Sequence, residues 1–138
     1  MRKLFIITLL LFFSICSFAQ ETPPLPPGIL YDQSQLDDLK KAVGDTVTVS
    51  SRIFSGKYLM ASSLTLLNVG ADYPNQKLTL IIKGANRNKF NGKPEVIFKG
   101  KDVTIRGVVT DYNGKPQIII TDPNQIEILG LTKVETPY

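Results

Sequence analysis

The chain has 138 residues, 16 Lys and Arg against 12 Asp and Glu, a net charge of +4, no histidine, no tryptophan and one cysteine, Cys16. Without histidine the commonest general base is missing, and a zinc or haem site would lack its usual ligands. A charge this mild does not by itself argue for nucleic-acid binding; its distribution matters more.

Arg2 and Lys3 precede an apolar run from Leu4 to Ile15, and Ser17-Phe18-Ala19 offers a small-x-small site before Gln20. This is the pattern of a secretory signal peptide, residues 1–19. The run falls short of the roughly 20 apolar residues that a spanning helix needs. A lipidated Cys16 would want a small residue before it, and Ile15 is bulky. Cleavage after Ala19 leaves 119 residues without a cysteine, and loss of Arg2 and Lys3 leaves 14 basic residues against 12 acids. An exported protein, periplasmic or secreted, is expected. Its single domain must be held by a packed core, because it cannot form a disulfide.

Residues 20–28 carry four prolines, so 20–31 is expected to be an extended linker; a Pro-x-x-Pro ligand role is the lesser alternative. Residues 32–43 predict a short helix capped by Asp32 or Ser34, with Leu36, Leu39 and Val43 on one face and Gly44 as its stop. Asp37 and Asp38 near its start and Lys40 and Lys41 near its end complement the macrodipole. Residues 46–54 predict a first strand, with Ser55-Gly56-Lys57 opening a loop. A second strand is expected over 64–69, a turn-rich loop over 70–76 and a third strand over 77–83. Alternation in the third strand sends Leu78, Leu80 and Ile82 to one face, and Lys77, Thr79, Ile81 and Lys83 to the other.

Asn86 to Phe90 predict one helical turn, and residues 94–98 lead into a fourth strand over 103–111, where Gly107 allows a sharp bend or bulge. Asn113-Gly114 is the strongest hairpin signal in the chain. It leads to a fifth strand over 117–121, broken by Asp122-Pro123-Asn124, with 125–129 resuming the edge and 130–138 as a tail. The expected fold is all-β, a small curled five-stranded barrel over 32–129 with a short N-terminal helix and a helical turn between strands three and four. Periodicity alone leaves other helix-docked sheets open.

The stretches LNVGADYPNQ, FKGKDVTIRGVV and YNGKPQIIITDPNQIEI resemble the OB-fold, nucleic-acid-binding-type domains of exported bacterial proteins, over roughly residues 44–129. The resemblance implies a Greek-key barrel with ligands across strands two and three, between the first–second and fourth–fifth strand loops. Those loops would be residues 55–62 and 111–116, which offer Lys57, Tyr58, Tyr112 and Lys115. Lys77, Thr79, Ile81 and Lys83 would add the outward side of the third strand. Tyrosines stack bases and lysines pair with phosphates. The opposing reading makes Tyr58 and Tyr112 plain loop residues that cover barrel ends.

From Lys77 to Lys101, seven basic residues face a single acid, Glu95: a field that attracts polyanions, or else a solubilising face. The best-supported expectation is a non-catalytic module without cofactor or metal that binds single-stranded DNA or RNA weakly and with little sequence preference. The alternatives are a glycan- or protein-binding module of the cell envelope, and an accessory domain without a small ligand. Asp111-Tyr112-Asn113-Gly114 faintly echoes a calcium loop, but the hairpin explains it more simply.

Overall fold

The computed structural model describes residues 29–131. The expected signal peptide, the linker prolines and residues 132–138 lie outside the described residues.

Seven strands are present among the described residues: β1 (Ile29–Tyr31), β2 (Thr46–Leu59), β3 (Leu64–Val69), β4 (Leu78–Lys83), β5 (Asp102–Tyr112), β6 (Lys115–Ile119) and β7 (Ile126–Ile128). The fold is therefore all-β, with two strands beyond the five expected. One, β7, sits where the edge was to resume; the other, β1, lies at the end of the stretch expected as linker. The order β2-β3-β4-β6-β5 returns to β2 through a β2–β5 pairing, so five strands form a closed hydrogen-bonded circuit. Within it only β4 and β6 run parallel. Outside it, β1 lies parallel to β2 and β7 antiparallel to β5.

Strand β2 closes the circuit because it serves two neighbours. Its first half, Thr46 to Arg52, pairs with β5, and its second half, Ile53 to Leu59, pairs with β3. The register shifts between Ile53 and Ser55, where the strand leaves one partner for the other. Ser55-Gly56-Lys57 is thus strand, not the expected loop, and the β2–β3 connection shrinks to residues 60–63. Gly56 is needed here for close approach, not for a turn. A Cβ on it would lie 2.9 Å from the Glu95 Cα and from the Leu67 Cδ2.

The N-terminal helix is a 3-10 helix, Gln33–Ala42, capped by Asp32 through a capping box with Gln35. Its three-residue turn stacks Leu36, Leu39 and Ala42 against the core and leaves the expected Val43 46% exposed. Burying Leu36 and Leu39 stabilises the fold by about 1.5–3 kcal/mol each. Between β4 and β5 lie two helical turns, α1 (Gly84–Arg87) and α2 (Pro94–Ile97), instead of one. Residues 94–97 were expected to lead into a strand, but Pro94 has no N–H to lose at a helix start and its φ suits one. Phe90 and Phe98 meet edge to face at 5.9 Å and close the core beneath these turns.

Asn113 (φ 51°) and Gly114 (φ 78°) form the expected two-residue hairpin between Tyr112 and Lys115. Gly107 lies where β5 passes from β2 to β6, and it pairs with Val47 without a bulge. A Cβ there would meet the Ile118 Cγ2 at 2.5 Å, so the glycine leaves room for the Ile118 side chain of the neighbouring strand.

Candidate functional site

The circuit has a core side and an outward side. Leu67, Leu80 and Ile118 are fully buried on the core side. On the outward side the pairing aligns Ser55, Asn68, Thr79 and Gln117 in one row across β2, β3, β4 and β6. The next row is Lys57, Leu66, Ile81 and Ile119. Paired residues share a face, so the rows make a polar floor beside one that is apolar apart from Lys57.

A groove of about 580 Å³ lies over these rows. Lys57, Tyr73, Tyr112 and Lys115 border it, Asn68, Thr79 and Gln117 lie among its polar lining, and no carboxylate lines it. Its volume is that of a small-ligand site, about 300–1,000 Å³. Tyr73 and Tyr112 are 72% and 62% exposed, so their rings are open to a ligand.

Of the residues expected to bind, the structure brings Lys57, Thr79, Tyr112 and Lys115 into this groove. Ile81 sits in the outward face but is only 8% exposed, since it is paired on either side with the bulky Leu66 of β3 and Ile119 of β6. Lys83 is exposed at the end of β4, opposite Leu64, away from the groove lining. Lys77 lies just before β4, paired with Asp37 at 2.8 Å. Tyr58 follows Lys57 along a strand and so points to the other face. There the Arg87 guanidinium lies 4.1 Å over its ring. Arg87 also makes two hydrogen bonds to Glu95, at 2.6 and 2.9 Å, and donates to Thr65 Oγ1 at 2.7 Å. The tyrosine expected in the groove is therefore part of a structural cluster.

Tyr73 takes its place, a residue the sequence reading passed over as part of a turn. It is positioned by a chain of hydrogen bonds. Asn68 Nδ2 donates to Ser55 Oγ at 2.9 Å, Ser55 Oγ donates to Asp72 Oδ1 at 2.5 Å, and the Tyr73 N–H donates to the same oxygen at 2.8 Å. The Ser55 hydrogen bond, then the Tyr73 N–H, with a contribution from the charge of Lys99, holds the Asp72 carboxyl below its ordinary value. It stays ionised and keeps the loop seated on β2. Asn68 and Gln117 were also missed. The signal for Asn68 was an asparagine inside a largely apolar strand, a residue type that strands disfavour.

A second, smaller cavity of about 370 Å³ opens between the 3-10 helix, the β3–β4 loop and the hairpin. Gln76 and Lys115 line both cavities. Among the described residues no group of three or more His, Cys, Asp or Glu is placed to hold a metal ion.

No family model matches the chain, and no curated protein does. Among solved structures, it is similar to a putative aspartyl-tRNA synthetase from Leishmania major Friedlin, at 9% identity and TM-score 0.46, over 79% of this chain and 22% of that one. It is similar also to the asparaginyl-tRNA synthetase from Pyrococcus horikoshii, at 11% identity and TM-score 0.44, over 65% of this chain and 21% of that one. The chain thus spans about a fifth of the length of these structures.

Proposed function

We propose that this chain is an exported, non-catalytic OB-like module that binds single-stranded nucleic acid, with modest affinity and little sequence preference, in the groove over β2, β3, β4 and β6. The closed circuit β2-β3-β4-β6-β5, with its one parallel pair, supports the OB-like barrel. The observation that carries the ligand class is the meeting of Tyr73, Tyr112, Lys57 and Lys115 in one groove without a carboxylate in its lining. Any base has a face that can stack on a tyrosine, worth about 1–3 kcal/mol. Lysines at the rim meet the backbone phosphates and release counterions. Asn68, Thr79 and Gln117 beneath offer donors and acceptors to base edges. Two stacks and two phosphate contacts suit a Kd around the micromolar range.

Export is proposed on the charged start, apolar run and small-x-small site of residues 1–19. The same tyrosines and amide side chains would also suit an envelope glycan, which is the second reading. Salt separates the two. Anisotropy of a labelled single strand of about 12 nucleotides should show binding that falls steeply as salt rises. Absence of binding at low salt would sink the nucleic-acid reading. Salt-independent binding of an oligosaccharide would put the glycan in its place.

A further inference from the structure

The second cavity continues the groove, and its chemistry differs. Lys40, Lys77 and Lys115 line it with a single acid, Asp37. Lys40 and Lys115 make no ion pair among the described residues, whereas Lys77 is held by Asp37 at 2.8 Å. Hydrogen bonding and charge from Lys77, and then the charge of Lys40, keep the Asp37 carboxyl ionised below its ordinary value. No aromatic residue lines this cavity, so it offers charge without a stacking surface.

Its walls are built into the fold. Gln33 Nε2 donates to the Gly70 carbonyl at 3.0 Å, which ties the 3-10 helix to the β3–β4 loop. Leu36 seats against Gly70 so closely that a Cβ there would lie 2.6 Å from its Cδ1. Gln76 stands on the boundary with the groove, and its Oε1 is buried without a hydrogen-bond partner among the described residues.

From this geometry we infer that the second cavity is a phosphate subsite: a strand stacked on Tyr73 and Tyr112 passes over Gln76 and Lys115 and seats its backbone phosphate between Lys40 and Lys77. Asp37 restrains the subsite, because it competes with the phosphate for Lys77. The inference rests on the nucleic-acid reading of the groove and deepens it, by giving the strand a path and the site a built-in limit on its affinity.

The test measures how the affinity of the chain from Gln20 onward for a labelled single strand of about 12 nucleotides depends on salt. Lys40→Ala is expected to weaken binding and flatten the slope of log K against log salt by about 0.7, one phosphate contact on a single strand. Asp37→Asn is expected to do the opposite, tightening binding and steepening the slope by about the same amount, because Lys77 is released to the phosphate. A purely structural role for the Asp37–Lys77 pair would instead lower Tm and weaken binding in Asp37→Asn, which overturns the subsite. Unchanged slopes in both variants, while Tyr73→Ala still weakens binding, overturn the subsite and leave the groove reading standing. No binding by the unaltered chain at low salt overturns both.

Discussion

The Arg87 guanidinium carbon lies 4.1 Å from the centre of the Tyr58 ring, and this contact sets Tyr58 apart from the exposed Tyr73 and Tyr112. Tyr58 has a ring face committed to a cation inside the protein, whereas Tyr73 and Tyr112 line the groove with exposed rings. Tyr73→Ala and Tyr112→Ala are each expected to cost about 1–3 kcal/mol of binding to a single strand with little change in Tm. Tyr58→Ala should lower Tm by loss of the cation–π contact and its packing, and leave the affinity of the remaining folded protein near that of the unaltered chain. Thermal unfolding and anisotropy on the same preparations separate the two effects.

The partner of Arg87 gives the fold an acid-sensitive point. Both side chains of the Arg87–Glu95 pair are 15% exposed. Hydrogen bonding to Arg87 holds the Glu95 carboxyl below its ordinary 4.5. As pH falls the unfolded chain therefore takes up this proton first. The stabilisation is complete above the ordinary value and is lost as pH drops through the lower folded one. Glu95→Gln should cost about 1.5–3 kcal/mol at neutral pH, the scale of a hydrogen bond to a charged group. The gap from the unaltered chain should close toward acid pH. Urea unfolding at a series of pH values measures both, and a gap that stays constant would contradict the account.

The three-residue period of the N-terminal helix makes a prediction that an α-helix would reverse. Ala42 is 3% exposed and Val43 is 46% exposed. Ala42→Leu should destabilise by about 1–3 kcal/mol through overpacking. Val43→Ala should stay within about 0.5 kcal/mol, as surface substitutions do. Leu39, at the centre of the buried stripe, should cost about 2–5 kcal/mol when cut to Ala. Chemical denaturation of the three variants checks the order.

Gly107 and Ile118 should behave as a coupled pair. An added Cβ at Gly107 would lie 2.5 Å from the Ile118 Cγ2, so Gly107→Ala should destabilise by about 1–3 kcal/mol. Ile118→Ala removes the clashing methyl and leaves a cavity. The double variant should therefore cost less than the two single losses added together. Additive losses would contradict a direct clash between the two positions.

Much of the architecture was legible because it is local. Alternation located β3, β4 and β5 to within a residue or two, Asn113-Gly114 marked the hairpin, and Asp32 marked the cap. These signals depend on neighbours in sequence: a period of two, a turn that needs positive φ, a side chain that meets an N–H two residues on. The same locality misled at Ser55-Gly56-Lys57, where turn-prone residues are held in a strand by pairing with β3. It misled at Val43 too, because the number of residues per turn is set by docking on the core.

The sequence by itself determined which residue types were on offer: lysines and tyrosines, no histidine, and a basic stretch from Lys77 to Lys101. Only the tertiary structure decided which of them meet. Lys57 and Tyr58 are neighbours in sequence, yet strand alternation sends them to opposite faces. Tyr73 and Tyr112 lie 39 positions apart in the chain and share one groove. The parallel pairing of β4 with β6 brings the hairpin beside the β3–β4 loop, and the Asn68–Ser55–Asp72 hydrogen bonds seat Tyr73 there. A residue's chemistry belongs to its type, but its neighbours across a closed strand circuit follow from register, which long-range pairing sets once the chain has folded.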